Sequence, residues 1–164
     1  MTNNFVFETD LAAKTIHIVR EFNAPIEKVW RAWTEPDLIE KWIAPKPWTA
    51  KTKIMDFTVG GIWLYAMVSP EGQKHWSYAE FTAIENNSLI STTNMFSDEG
   101  GNTVADAPKS HTETKFLSID GNRTRVDVVK TFTDAATIKM FVEMGFKQGT
   151  IMGYNQLDEL LASE

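Results

Sequence analysis

A chain of 164 residues that is 43% hydrophobic, 12% aromatic and 23% charged has the composition of one globular domain, able to bury roughly two thirds of its unfolded surface. Its formal net charge of -6 disfavours nucleic acid as a partner, because a phosphate backbone is held by clustered Lys and Arg. The absence of cysteine excludes disulfides, thiol nucleophiles, thiolate metal sites and iron–sulfur clusters.

The amino terminus, MTNNFVFETD, has no basic segment followed by an apolar run, and no later stretch approaches the roughly 18 apolar residues of a membrane span. A soluble, cytoplasmic protein with no membrane partner is expected. The first elements are strands: FVFE at 5 to 8, a turn through Thr9 to Lys14, then TIHIVREF at 15 to 22, where Ile16, Ile18 and Arg20 alternate with His17, Val19 and Glu21. Together they read as a hairpin. At Asn23 the period changes. Ile26, Val29, Trp30 and Trp33 recur at three and four residues, giving a short helix one apolar side, with proline near its first turn. Thr34 to Pro36 ends that helix and starts a second, through Asp37, Leu38, Ile39 and Trp42, which Pro45 and Pro47 stop.

From Trp48 to Phe132 short strand-like runs alternate with the turn sequences VGG, SPEG, ENNS and DGN, the pattern of an antiparallel sheet. Strands are predicted at about 49 to 57, 61 to 68, 74 to 85, 88 to 96, 110 to 119 and 123 to 132. The polar, glycine-containing stretch SDEGGNTVADAPKS, 97 to 110, is longer than a usual hairpin loop and reads as a mobile flap that gates entry to a site. After Asp134, a candidate N-cap, the apolar period becomes helical through Ile138, Phe141, Val142, Gly145, Gly149, Met152, Leu157, Leu160 and Leu161. One final helix of nearly thirty residues is the natural reading.

The run APIEKVWRAWTEPDLIEKWIAP resembles the opening signature of the family named after the activator of the heat-shock protein 90 ATPase, in the START-like (SRPBCC) superfamily. DFTVGGIWLYAM at 56 to 67, YAEFTAIE at 78 to 85, TRVDVVKTF at 124 to 132 and the closing LDELLA extend the resemblance over residues 14 to 163. It implies an α+β helix-grip (START-like, Bet v 1-like) fold for a single domain spanning 1–164. In that fold a curved antiparallel β-sheet wraps around a long C-terminal α-helix, with two short helices between the N-terminal strands and the rest of the sheet. It also implies a cavity for an apolar ligand between sheet and helix. In the eukaryotic activator a separate amino-terminal domain makes the main chaperone contact, and no counterpart of it is expected here.

Three features bear on chemistry. Gly145, Gly149 and Gly153 repeat every four residues along one strip of the last helix, at a cost of about 1 kcal/mol each relative to alanine. Either the sheet approaches the helix backbone there or the strip leaves space for a ligand. Trp63, Tyr65 and Met67 share one face of their strand. With Trp76, Tyr78, Met95, Phe141, Met144, Gly145, Gly149 and Trp42 they form the expected lining of an adaptable apolar pocket. A filled core would use the same residues.

Catalytic signals are faint, and no catalytic residue is assigned. His17, His75 and His111 lie far apart without metal-ligand spacing, and neither a metal nor a cofactor is expected. Glu80 and Glu113 would serve as acid or base only if they pointed inward. The expected function is binding of a small hydrophobic or amphipathic ligand, with a stress-response setting. A chaperone-associated interaction protein and a polyketide cyclase or dehydratase-like enzyme are the alternatives.

Overall fold

The computed structural model describes residues 5–103 and 109–163. Among them eight strands form one antiparallel sheet: β1 (Phe5–Asp10), β2 (Thr15–Phe22), β3 (Thr49–Met55), β4 (Ile62–Val68), β5 (Lys74–Glu85), β6 (Leu89–Ser97), β7 (Ser110–Asp120) and β8 (Arg123–Phe132). Their order is β1-β2-β8-β7-β6-β5-β4-β3. The meander from β3 to β8 therefore returns to the first hairpin, where β2 pairs with the last strand from Thr15↔Thr131 to Phe22↔Thr124. Register shifts at Thr52/Ile54, Phe81/Ala83 and Ser118/Asp120 supply the extra residues that bend strands and curve a sheet.

The helices are α1 (Ile26–Thr34), α2 (Pro36–Ile39), α3 (Ala135–Glu143) and α4 (Phe146–Ser163). The observed fold is the expected helix grip, with one difference in its last element. Gly145 adopts φ +88°, a left-handed conformation that side chains with a Cβ resist. Its amide donates to the Val142 carbonyl at 3.1 Å, closing α3 as a glycine C-terminal cap. The single helix read from the apolar period is thus two, because a period reports which face is buried and not whether the axis continues. Asp134 caps α3 as its side chain predicts, accepting from the Thr137 amide at 2.8 Å.

The core lies between α4 and the concave face of the sheet, with α1 and α2 closing one end. Buried Trp30 meets Phe116 edge-on at 5.0 Å, and Trp33 meets the same ring at 5.4 Å. Trp42 is 2% exposed and donates its indole N–H to the Ala32 carbonyl at 2.9 Å. The tryptophans of this segment therefore seal the helix pair onto the sheet, and a buried indole N–H needs such a partner. No helix of the described residues is long and apolar enough to cross a membrane.

Candidate functional site

Cross-strand partners share a sheet face, so the register identifies the side chains that point at α4. On β8 these are Thr124, Val126, Val128, Lys130 and Phe132, and on β7 their partners Thr114 and Thr112. Ile18 of β2 pairs with Val128. On β4 the inward set is Trp63, Tyr65 and Met67, paired with Ala79, Ser77 and His75.

Between this face and α4 lies a cavity of about 370 Å³, near the lower end of the size range of small-molecule sites. Its floor is Ile18, Tyr65, Met67, Thr112, Thr114, Val128 and Lys130; its roof is Phe146, Gly149, Thr150, Gly153 and Tyr154; Trp33, Trp42, Ile43 and Pro45 complete the wall. Burial is graded along it. Ile18, Trp42, Thr114, Val128, Gly153 and Tyr154 are buried, whereas Pro45, Met67, Thr112, Lys130, Gly149 and Thr150 are half-buried. The cavity is thus closed at the Trp42–Tyr154 end and reaches solvent beside the first turns of α4.

The wall segment following α2 is hydrogen-bonded to α4 through Gln156. Gln156 donates to the carbonyls of Trp42 at 3.1 Å and Ala44 at 2.9 Å, and accepts from the Lys46 amide at 3.0 Å. Gly153 permits this approach, since a Cβ there would lie 3.0 Å from the Trp42 carbonyl oxygen. A Cβ at Gly149 would meet only Pro45 Cγ, at 3.8 Å. The glycine strip therefore divides by position: Gly149 and Gly153 both line the cavity roof, but Gly153 also serves close packing, against the wall segment rather than the sheet, while Gly149 leaves open space and Gly145 ends a helix.

Polar groups concentrate toward the mouth. Lys130 Nζ donates to Thr112 Oγ1 at 2.7 Å, whose hydroxyl donates to Asn94 Oδ1 at 2.7 Å; Thr92 donates to the same oxygen at 3.0 Å. Among the described residues no carboxylate pairs with Lys130. Burial lowers its ammonium from 10.5 to about 8, because desolvation penalises the charged form. Burial likewise raises the phenol of Tyr65, opposed by a hydrogen bond with Ser77, and that of Tyr154, opposed by the Arg20 charge. Arg20 lies beyond the closed end, bonded to Asp158 and, at 3.1 Å, to Asn155.

Of the side chains expected to form the site, the structure brings Trp42, Tyr65, Met67 and Gly149 together on the cavity. Trp63 stands behind them, stacked on Tyr65 at 3.7 Å. Phe141 packs beside the cavity on Phe132 and Phe146, at 5.2 and 5.7 Å. Trp76, Tyr78 and Met95 belong to the other face: Trp76 pairs with Ala66, Tyr78 with Leu64, and Met95 with Tyr78, one residue out of phase with the inward set. Met144, at 74% exposure, points to solvent.

Glu80 and Glu113 are also on the convex face, where Glu113 meets Lys115 at 3.2 Å. Acid–base chemistry in the cavity would therefore run through Lys130, Tyr65 or Tyr154, since no carboxylate or histidine among the described residues lines it. Of the segment 97 to 110, residues 104–108 lie outside the described residues. Its first part is a turn in which Asp98 accepts from the amides of Gly100 and Asn102, both at 2.9 Å, and Gly101 approaches Leu64 and Tyr78. That turn covers the convex face, not the cavity mouth.

The residues missed from the sequence are chiefly Lys130, Thr112 and Thr114. One signal was present: in TRVDVVKTF, Lys130 shares a strand face with Val126, Val128 and Phe132, a charge where the alternation calls for an apolar residue.

Residues 23–162 match the family described as Activator of Hsp90 ATPase homolog 1-like protein. Among solved structures the chain is similar to a protein from Arthrobacter aurescens, at TM-score 0.88 and 31% identity over 97% of this chain and 92% of that one. A Mycobacterium smegmatis protein is similar at TM-score 0.87 and 30% identity, over 99% of both chains. A Staphylococcus epidermidis protein follows at 0.85 and 26%, over 96% and 94%. No curated protein gives a significant sequence match.

Proposed function

The chain belongs to the Activator of Hsp90 ATPase homolog 1-like family, and from that premise we propose that it binds a small apolar or amphipathic molecule between its sheet and α4. The observation that carries this reading is the graded cavity of about 370 Å³, apolar at its closed end and polar at its mouth. A core filled by its own side chains would leave no such space, because protein interiors pack with few voids larger than a water molecule. The proposed setting is the cytoplasm, within a stress response.

The test is an NMR titration of labelled protein with neutral apolar and amphiphilic probes: fatty alcohols, flavonoids and sterols. Saturable shifts confined to Ile18, Val128, Gly149 and Thr150 are expected. No saturable response to any class would refute ligand binding.

A second reading, contact with a chaperone, draws on the family description and on α3, which exposes Met140 and Val142, with Met144 just beyond it. Adaptable methionine surfaces suit protein partners. A coupled ATPase assay with the host chaperone tests it, and an unchanged rate at saturating protein would dispose of it.

A further inference from the structure

We propose that the cavity's ligand is an amphipathic carboxylate, inserted with its apolar part toward Trp42 and Tyr154 and its acid group held at the mouth by Lys130. This inference rests on the ligand-binding reading above and names the chemistry that the site selects.

The position of Lys130 is the first ground. It is inward on β8, between Val128 and Phe132, and one residue pair nearer the mouth than the buried pair Thr114↔Val128. An ammonium has three N–H donors and no acceptor. One of them reaches Thr112 Oγ1, and Thr112 uses its own proton on Asn94. Two donors are left for a group in the cavity, and the charge has no carboxylate partner among the described residues.

Keeping a half-buried cation unpaired costs stability that an apolar residue at the same place would not. An anion arriving with the ligand removes that cost. The cavity's charge also sets the ligand's: Lys130 is the one ionised side chain in the lining at neutral pH among the described residues. A monoanion is balanced there, whereas a phosphate dianion would retain an uncompensated buried charge. The apolar closed end then requires that the carboxylate carry a hydrocarbon or aryl body.

The experiment is calorimetric titration of decanoate and of decanol, the same chain without the charge, into wild type, Lys130→Met and Lys130→Arg near pH 6.5. A charge-assisted hydrogen bond should make wild type prefer decanoate by about ten- to hundredfold. Lys130→Met should bind both probes alike, and Lys130→Arg should keep part of the preference. Equal affinities in wild type, or a preference that survives Lys130→Met, would overturn the assignment of the anion to Lys130 while leaving the apolar cavity standing. Binding of neither probe would overturn both readings.

Discussion

Replacing Lys130 by methionine should stabilise the ligand-free protein near neutral pH, although it deletes a hydrogen bond. Burial lowers the Lys130 ammonium from 10.5 to about 8, and a shift of that size corresponds to about 3 kcal/mol of penalty on the charged form. Because the side chain keeps partial solvent contact, about 2 kcal/mol is a fairer expectation at pH 7, where folded and unfolded states both carry the proton. Between pH 8 and 10.5 the unfolded state binds more protons than the folded one at this site, so the wild type recovers stability as pH rises and the variant's advantage shrinks.

The other titratable groups on this side of the sheet include Tyr65 and Tyr154, both raised by burial, the Arg20–Asp158 pair, and Lys147, which lies over the Phe7 ring. All are common to both proteins and cancel in the comparison. Urea denaturation followed by circular dichroism at pH 7 and 9.5 measures the effect. The variant's midpoint should lie higher by about 1 M at pH 7, at an unchanged slope, and by roughly half as much or less at pH 9.5. A variant less stable than wild type at pH 7, or an advantage independent of pH, would show that Lys130 is not an unpaired buried cation.

The glycines of α4 should respond in opposite directions. Gly153→Ala places a Cβ 3.0 Å from the Trp42 carbonyl oxygen and should cost about 1–3 kcal/mol, read as a lower melting temperature. Gly149→Ala meets an ordinary contact at Pro45 and should gain up to about 1 kcal/mol of helix propensity while narrowing the cavity, so melting rises as probe affinity falls. At Gly145 the positive φ makes alanine unfavourable by about 1 kcal/mol, and denaturant titration should show that loss without a change in probe affinity. Asp158→Ala removes the counter-charge of buried Arg20, leaving Asn155 as its remaining hydrogen-bond partner on α4. A loss of about 2 kcal/mol is expected in urea, and a change below 0.5 kcal/mol would mean that water replaces the carboxylate.

Much of the fold was legible because its signals are local. Alternation and turn chemistry located every strand of the sheet to within about two residues, and β2, β5 and β8 run over the ranges read from the sequence. The shared face of Trp63, Tyr65 and Met67 was legible for the same reason, by parity alone, and two of them, Tyr65 and Met67, border the cavity. Trp76, Tyr78 and Met95 were misplaced because parity orders residues within a strand, and it takes the pairing Leu64↔Tyr78 to relate the faces of two strands. The break at Gly145 was hidden for a similar reason, since glycine is tolerated inside a helix and ends one equally well.

The amino-acid sequence by itself thus determined the order of the strands and of the first two helices, the apolar face within each element and the family, because each follows from short-range periodicity and from runs of residues that travel together. Whether the tryptophans of PIEKVWRAWTEPDLIEKWIAP bind a ligand or close a core was decided only in three dimensions. Trp30 and Trp33 meet Phe116, far along the chain, while Trp33 and Trp42 also wall the cavity. Tertiary structure likewise decided that Gly149 leaves space, that Gly153 admits a backbone, and that Lys130 stands without a carboxylate partner among the described residues. Those properties depend on what chains distant in sequence leave unfilled, and a vacancy has no residue to encode it.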